Sequence, residues 1–301
     1  MNPKIAFIGM GEAGSAIVEG WSESRRDAIT AYDFKTEHTE TADTLWARYQ
    51  ELGIRGCTSA AEAVTGADLV LCTVTADQAV TAAEQAAVHL EPGAFWCDLN
   101  SCAPSSKRLA AEIIEADGGR YVDVAVMAPV HPRLNMVPLL VAGPHAETIA
   151  PILESLPMAP RVVAGDIGAA SSIKMIRSVM VKGLEALSAE CVLAAVAAGV
   201  EDEVLASLTQ SHPGIDWPAR AAYNFERALR HGARRAAEME EVAKTLADLG
   251  LPDDMAAATV AWQRRMADIG LPAGEGFDPD DKSGTRGPKA IADAILPALR
   301  R

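Results

Sequence analysis

The sequence predicts an α/β protein: an open, doubly wound parallel sheet in the first half, then an all-α domain joined to it by one long helix. Three observations predict it. Short apolar runs alternate with helical stretches from residue 4 to about residue 165. A glycine-rich turn, Gly9-x-Gly11-x-x-Gly14, joins the first apolar run to the first helical stretch. Beyond Gly165 the pattern changes, and residues 168–199 read as a single helix with little polar surface. The expected domains are 1–165 and 166–301.

Residues 4–8 (Lys-Ile-Ala-Phe-Ile) read as a buried first strand, and the first helix follows over about 11–22. Residues 29–33 make the second strand, ending at Asp33. Residues 41–52 read as helix and 59–63 as a shorter one. A third buried strand spans 67–73, followed by a helix through 77–89. Strands at 94–98 and 121–126 flank a helix at 104–116, and 139–142 and 161–163 could extend the sheet. Repeated β-α-β units of this length imply parallel strands with right-handed crossovers. In the long helix, Ile173, Ile176, Val179, Met180, Leu184, Leu187, Val192, Leu193 and Val196 fall on most sides. A helix of that kind is expected to be buried on most sides. Phe225, Leu229, Gly232, Ala236, Met239, Ala243 and Leu246 recur at steps of three and four and make one stripe. Arg227, Arg234, Glu238 and Glu241 occupy much of the other side. Residues 270–288, rich in Gly, Pro and Asp, read as a mobile loop before a last short helix. No fixed-period repeat is present.

The composition narrows the functional classes. The formal net charge is −14, from 27 basic and 41 acidic residues. Nucleic acid and anionic membrane surfaces are therefore not expected as partners. The N-terminal residues run directly into a strand, without a basic-then-apolar leader, and no apolar run is long enough to span a bilayer. The five cysteines (Cys57, Cys72, Cys97, Cys102 and Cys191) are odd in number and lack C-x-x-C spacing. They suggest reduced thiols and a cytoplasmic location rather than a disulfide frame. No histidine–carboxylate spacing suggests a metal.

The glycine turn points to a dinucleotide. Gly9 permits the tight turn, Gly11 lets backbone approach a pyrophosphate, and Gly14 lets helix pack on strand. Met10, Glu12 and Ala13 complete the loop, and the helix start beyond it favours phosphate. Open parallel sheets bind ligands at the carboxyl ends of their strands. Val74 and Thr75, and the run Asp98-Leu99-Asn100-Ser101, are expected there too. Asp33, nineteen residues past Gly14, is placed to accept the ribose hydroxyls and to repel a 2′-phosphate. NAD is favoured on that geometry, with NADP possible because Lys35 is close. Lys174 sits in the first turns of an otherwise apolar helix, where burial lowers an ammonium pKa toward general acid/base work. Ser178 and Lys182 follow at i+4 and i+8 on the same face, and a second cation would push the Lys174 pKa further down.

The chain resembles the superfamily of 6-phosphogluconate dehydrogenase and 3-hydroxyisobutyrate dehydrogenase. The resemblance covers the whole length and is better in the first half. It rests on the glycine motif, on Asp98-Leu99-Asn100-Ser101-Cys102-Ala103-Pro104, and on Gly168-Ala-Ala-Ser-Ser-Ile-Lys174. It implies a Rossmann-like N-terminal domain and hydride transfer between a nicotinamide cofactor and a small hydroxy acid or related polyol. Lys174 then takes and returns the hydroxyl proton, while Asn100 and Ser101 orient the substrate. The chain departs from the family at Ser178, where asparagine is usual. It departs again at Met127-Ala128-Pro129, which replaces a Ser-Gly-Gly whose N–H groups serve a carboxylate; Pro129 has no N–H. The second half, with His231-Gly-Ala-Arg234-Arg235, resembles a divergent branch.

Further expectations complete this reading. His131 follows the altered segment near the expected substrate. His231, Arg234 and Arg235 could form an anion site, but a solvated, salt-bridged helix face is the plainer expectation. Cys102 is expected to serve packing. A homodimer is expected because the surface of 192–200 is too apolar for one small domain to cover. The alternatives to a dehydrogenase are an imine reductase, which Lys174 argues against, and a cofactor-binding sensor without turnover.

Overall fold

The computed structural model describes residues 3–269 and 287–299. The loop expected at 270–288 lies outside the described residues except for its last two, Gly287 and Pro288. The chain divides into two compact units, Met1–Met175 and Ile176–Arg301.

In the first unit the strands are β1 (Ile5–Ile8), β2 (Ile29–Tyr32), β3 (Arg55–Gly56), β4 (Leu69–Cys72), β5 (Phe95–Asp98), β6 (Arg120–Val126), β7 (Pro138–Ala142) and β8 (Ala159–Val162). Its helices are α1 (Glu12–Glu19), α2 (Glu23–Arg26), α3 (Ala42–Leu52), α4 (Ala60–Val64), α5 (Ala79–Ala86), α6 (Pro104–Ala116) and α7 (Ala146–Ser155). The sheet order is β3-β2-β1-β4-β5-β6-β7-β8. The order reverses between β1 and β4, so successive crossovers leave in opposite directions and open a crevice above those strand ends.

Side-chain alternation explains the layers. Ile5 and Phe7 of β1, Leu69 and Leu71 of β4, and Val122 and Val124 of β6 share a core with α1, α3 and α7. Ala6, Ile8, Val70, Cys72 and Trp96 point to the opposite face, against α4, α5 and α6. Both faces being covered, the strands need no polar face, which is why they read as continuous apolar runs.

One expectation of direction is corrected. β7 is antiparallel to β6, with Asp123 opposite Ala142 and Val126 opposite Leu139. Between the two strands lies one 3₁₀ turn (Leu134–Met136) and no crossover helix, so the chain folds back instead of crossing over. Residues 77–89 are broken as well: 3₁₀ turns at Ala76–Gln78 and Ala87–His89 bracket α5. The two-residue strand β3 is Arg-Gly and carries no apolar run to mark it in the sequence.

Helix α8 (Ala169–Ala198) runs across the division between the units. The second unit continues with α9 (Glu201–Ser211), α10 (Trp217–Asp248), α11 (Asp254–Asp268) and α12 (Pro288–Leu299). Val192, Leu193 and Val196 of α8 share a core with Phe225 of α10, Trp262 and Met266 of α11, and Ile291 and Ile295 of α12. The basis for expecting a dimer at 192–200 is therefore corrected: Val192, Leu193 and Val196 are covered by this chain's own helices. The expectation that α8 is buried on most sides is corrected too. Ile173, Ile176, Met180, Leu184 and Leu187 are all exposed, with Met180 at 63%. At about 100° per residue they form one strip, opposite the side that carries Lys174, Ser178 and Lys182.

Candidate functional site

The crevice is built from four strand ends of the first unit. Gly9 follows β1 with φ +92°. A Cβ there would lie 2.8 Å from the Thr73 carbonyl and the Val74 nitrogen, so only glycine fits. A Cβ at Gly14 would lie 2.8 Å from the Gly9 carbonyl oxygen, the close helix-to-strand approach that the motif implies. A Cβ at Gly11 would meet nothing within 4 Å, so the loop is open on that side. Gly11 is the N-cap of α1. Met10 is buried, Gly11 and Ala13 are half-buried, and Glu12 is exposed. Thr73 locks the two strand ends together, its Oγ1 donating to the Gly9 carbonyl at 2.7 Å. Val74 is half-buried and Thr75 exposed just beyond.

Asp33 follows β2 and is 6% exposed. Its Oδ2 accepts from Met10 N at 2.8 Å and its Oδ1 from Lys35 N at 3.0 Å. The carboxylate thus braces the glycine loop. Each oxygen still has a second lone pair for a hydroxyl donor. A steric opening at Gly11, a helix start and an acid at the end of β2 fit a dinucleotide.

At the end of β5 the chain turns through Asn100 and Ser101. Asn100 is buried, and its Nδ2 lies 3.3 Å from Cys72 Sγ. Its Oδ1 is buried without a hydrogen-bond partner, an acceptor left over at the crevice. Ser101 is half-buried. Lys174, in the second turn of α8, is half-buried and its Nζ donates to Ser101 Oγ. The structure so brings together two expected site residues 73 positions apart.

The other expected residues are placed differently. Ser178 is buried and accepts from Lys182 Nζ at 3.2 Å. Lys182 pairs with Glu238 at 2.9 Å. Glu238 therefore compensates the Lys182 charge. His131 is exposed on the β6–β7 connection. The Met127 N–H donates to the Pro138 carbonyl at 2.9 Å, so that amide is used within the sheet. Arg235 is 6% exposed and pairs with Glu185 at 2.6 Å, so it is salt-bridged as expected but buried, which corrects the solvated-face reading for this residue. Burial raises the Glu185 pKa above its usual range, although Arg235 pulls it back. Of the other two, Arg234 is exposed and His231 half-buried. Cys102 is fully buried, as packing requires. Among the described residues no cluster of metal-ligating side chains is present.

Beneath the crevice lies an ionic network around Asp98, whose partners the sequence analysis does not single out. Asp98 and Asp123 are register partners on β5 and β6, and both are 0% exposed. Lys107 of α6, also 0% exposed, places Nζ 2.9 Å from Asp98 Oδ1 and 3.8 Å from Asp123 Oδ1, and donates to the Asp98 carbonyl at 2.6 Å. Tyr121 donates its hydroxyl to Asp98 Oδ2 at 2.7 Å. Asp123 Oδ2 accepts from Gly168 N and Ser171 N at 3.0 and 3.1 Å, and Oδ1 from Ser171 Oγ at 2.6 Å. Asp123 therefore caps α8 from a neighbouring strand. One sequence signal pointed there: Asp123 is a charge in the middle of the apolar strand Tyr-Val-Asp-Val-Ala-Val. Lys107 gave none, because a lysine on an amphipathic helix reads as part of its wet face.

Comparisons with known proteins agree with this geometry. The NAD binding domain of 6-phosphogluconate dehydrogenase matches residues 4–165. A domain of unknown function, DUF1932, matches residues 195–266. A conserved hypothetical protein from Sinorhizobium meliloti 1021 is 37% identical, with 99% of this chain and 97% of that one covered and a TM-score of 0.76. The conserved protein MTH1747, described as structurally similar to 3-hydroxyacid dehydrogenases, is 27% identical over 88% of this chain and 96% of its own, with a TM-score of 0.67. The 3-hydroxyisobutyrate dehydrogenase of Mycobacterium tuberculosis, solved with L-serine, shares the fold at 17% identity, covering 98% and 99% with a TM-score of 0.72. The glycine loop, the strand order and the helix bearing Lys174 thus have a common explanation: the chain belongs to the 6-phosphogluconate dehydrogenase and 3-hydroxyisobutyrate dehydrogenase superfamily, in a branch with a divergent C-terminal domain.

Proposed function

We propose that the protein is an NAD(P)-dependent dehydrogenase acting on the alcohol carbon of a small hydroxy acid or related polyol, with Lys174 as general acid/base. The observation that carries this reading is the hydrogen bond from Lys174 Nζ to Ser101 Oγ at the strand-end crevice. A bound nicotinamide dinucleotide supplies the hydride acceptor. The loop of Gly9, Met10, Gly11, Glu12, Ala13 and Gly14 holds its pyrophosphate, with Val74 and Thr75 alongside. Asp33 accepts the ribose hydroxyls, and its charge favours NAD over NADP.

Ser101 Oγ accepts from Lys174 and keeps its own O–H to donate to the substrate oxygen. The orphan Asn100 Oδ1 accepts a second substrate or cofactor donor. The neutral Lys174 amine takes the substrate hydroxyl proton during oxidation and returns it during reduction. Pro129 has no N–H and the Met127 amide is engaged, so of these three residues Ala128 is the one whose amide can serve a substrate carboxylate. Ser178 and His131 are further candidates for substrate contact.

A homodimer is part of the proposal, and its support is the exposed apolar strip on α8. The test is a panel of hydroxy acids, polyols and imines with NAD and NADP, followed by the absorbance of reduced nicotinamide. Turnover of a hydroxy compound supports a dehydrogenase. Turnover of imines alone makes it an imine reductase. Cofactor binding with no turnover anywhere supports a sensor.

A further inference from the structure

We propose that Lys107, Asp98 and Asp123 are positioning residues that hold Ser101 and Lys174 in contact. This deepens the reading of Lys174 as the proton carrier and rests on it only for the effect on turnover. The two acids stand side by side on one face of the sheet, where like charges repel. The Lys107 ammonium lies between them and removes that repulsion. Burial alone would lower the Lys107 pKa, but Asp98 and its neighbours override burial and hold it above its usual value. The lysine is therefore a permanent cationic strut rather than a second proton carrier.

Stability alone does not explain such a network, because apolar residues of similar volume often serve a core as well or better. Apolar residues cannot accept backbone N–H groups at fixed places. Asp98 Oδ1 accepts from Asn100 N at 2.9 Å, which sets the turn carrying Ser101. Asp123 accepts from Gly168 N and Ser171 N, which sets the first turn of α8. Lys174 lies three residues past Ser171, on the next turn, so a shift at the cap moves its amine. Lys107 bonds Asp98 and lies near Asp123, and so ties the two placements together.

The test reads Lys174 directly, in the full chain and without a substrate. Lysine amines are trace-labelled with acetic anhydride, and labelling of Lys174 is measured relative to Lys244 by peptide mass spectrometry. Ser171→Ala removes one hydrogen bond to Asp123 and leaves every charge in place. It should raise relative Lys174 labelling about fivefold, the factor that the loss of one hydrogen bond brings. Ser171→Thr should return it toward wild type, and Asp123→Asn should raise it further. If Asp123→Asn does not fold, the two Ser171 variants decide. Wild-type labelling of Lys174 in folded Ser171→Ala overturns the proposal. Lys174→Ala, assayed for turnover, tests the catalytic reading separately. Raised labelling in Ser171→Ala with turnover kept in Lys174→Ala leaves positioning standing and the catalytic role refuted. Unchanged labelling with turnover lost in Lys174→Ala refutes positioning alone.

Discussion

Alanine at Gly11 and alanine at Gly9 should have opposite effects, and the pair separates ligand binding from folding at the strand-end loop. At Gly11 the backbone is extended (φ −76°, ψ −158°), and a Cβ meets nothing within 4 Å. Alanine costs some N-cap preference there and gains about as much from a stiffer unfolded chain, so stability should change by less than about 1 kcal/mol. The new methyl occupies the side from which a pyrophosphate would approach, so cofactor affinity should fall about tenfold or more, which is about 1.4 kcal/mol. At Gly9 a side chain is strained by φ +92° and would lie 2.8 Å from backbone atoms that cannot swing away. Backbone strain and overpacking of about 2 kcal/mol each sum to about 4 kcal/mol, or roughly 8–16 °C in melting temperature. Thermal melts and calorimetric titration with NAD measure both quantities. Wild-type NAD affinity in Gly11→Ala would refute the pyrophosphate placement. An unchanged melting temperature in Gly9→Ala would refute the steric argument.

Asp33→Ala removes the acceptor for Met10 N and Lys35 N together with the acid at the ribose position; NAD affinity should fall about tenfold or more, and unchanged affinity would remove Asp33 from the site. Light scattering at micromolar concentration should give a dimer, and Met180→Glu with Leu184→Glu on the exposed strip should give monomers; a wild-type monomer contradicts the assembly. Glu185 titrates above its usual range because it is buried. Between the usual and the raised value the folded protein keeps a proton that the unfolded chain has released, so stability should rise as pH falls through that window. Glu185→Gln should flatten this slope in denaturant titrations at stepped pH, and a slope as steep as wild type would assign it to another group.

The first unit was legible where sequence pattern and backbone mechanics coincide. Gly9 and Gly14 are forced by backbone contacts within 3 Å, and strands covered on both faces leave continuous apolar runs. Ser101 and Lys174 were each legible from a motif, although nothing local to either predicts their hydrogen bond. Strand direction was not legible at β7, because a short apolar run reads the same both ways. The Lys107 network was hidden because burial of a charge depends on partners far off in sequence. Arg235 was misread for the same reason: its partner Glu185 lies on another helix. On α8 apolar content was legible, but which side the chain covers was not: Val192, Leu193 and Val196 are buried, while Ile173, Ile176, Met180, Leu184 and Leu187 are exposed.

The most direct test of Lys174 is the turnover of Lys174→Ala on whichever panel substrate the wild type oxidises, with NAD affinity measured on the same preparation. Loss of general acid/base assistance should lower kcat by about 10²–10⁴-fold and leave NAD affinity within about twofold, since no predicted cofactor contact is removed. Turnover at the wild-type rate in that variant would contradict the account.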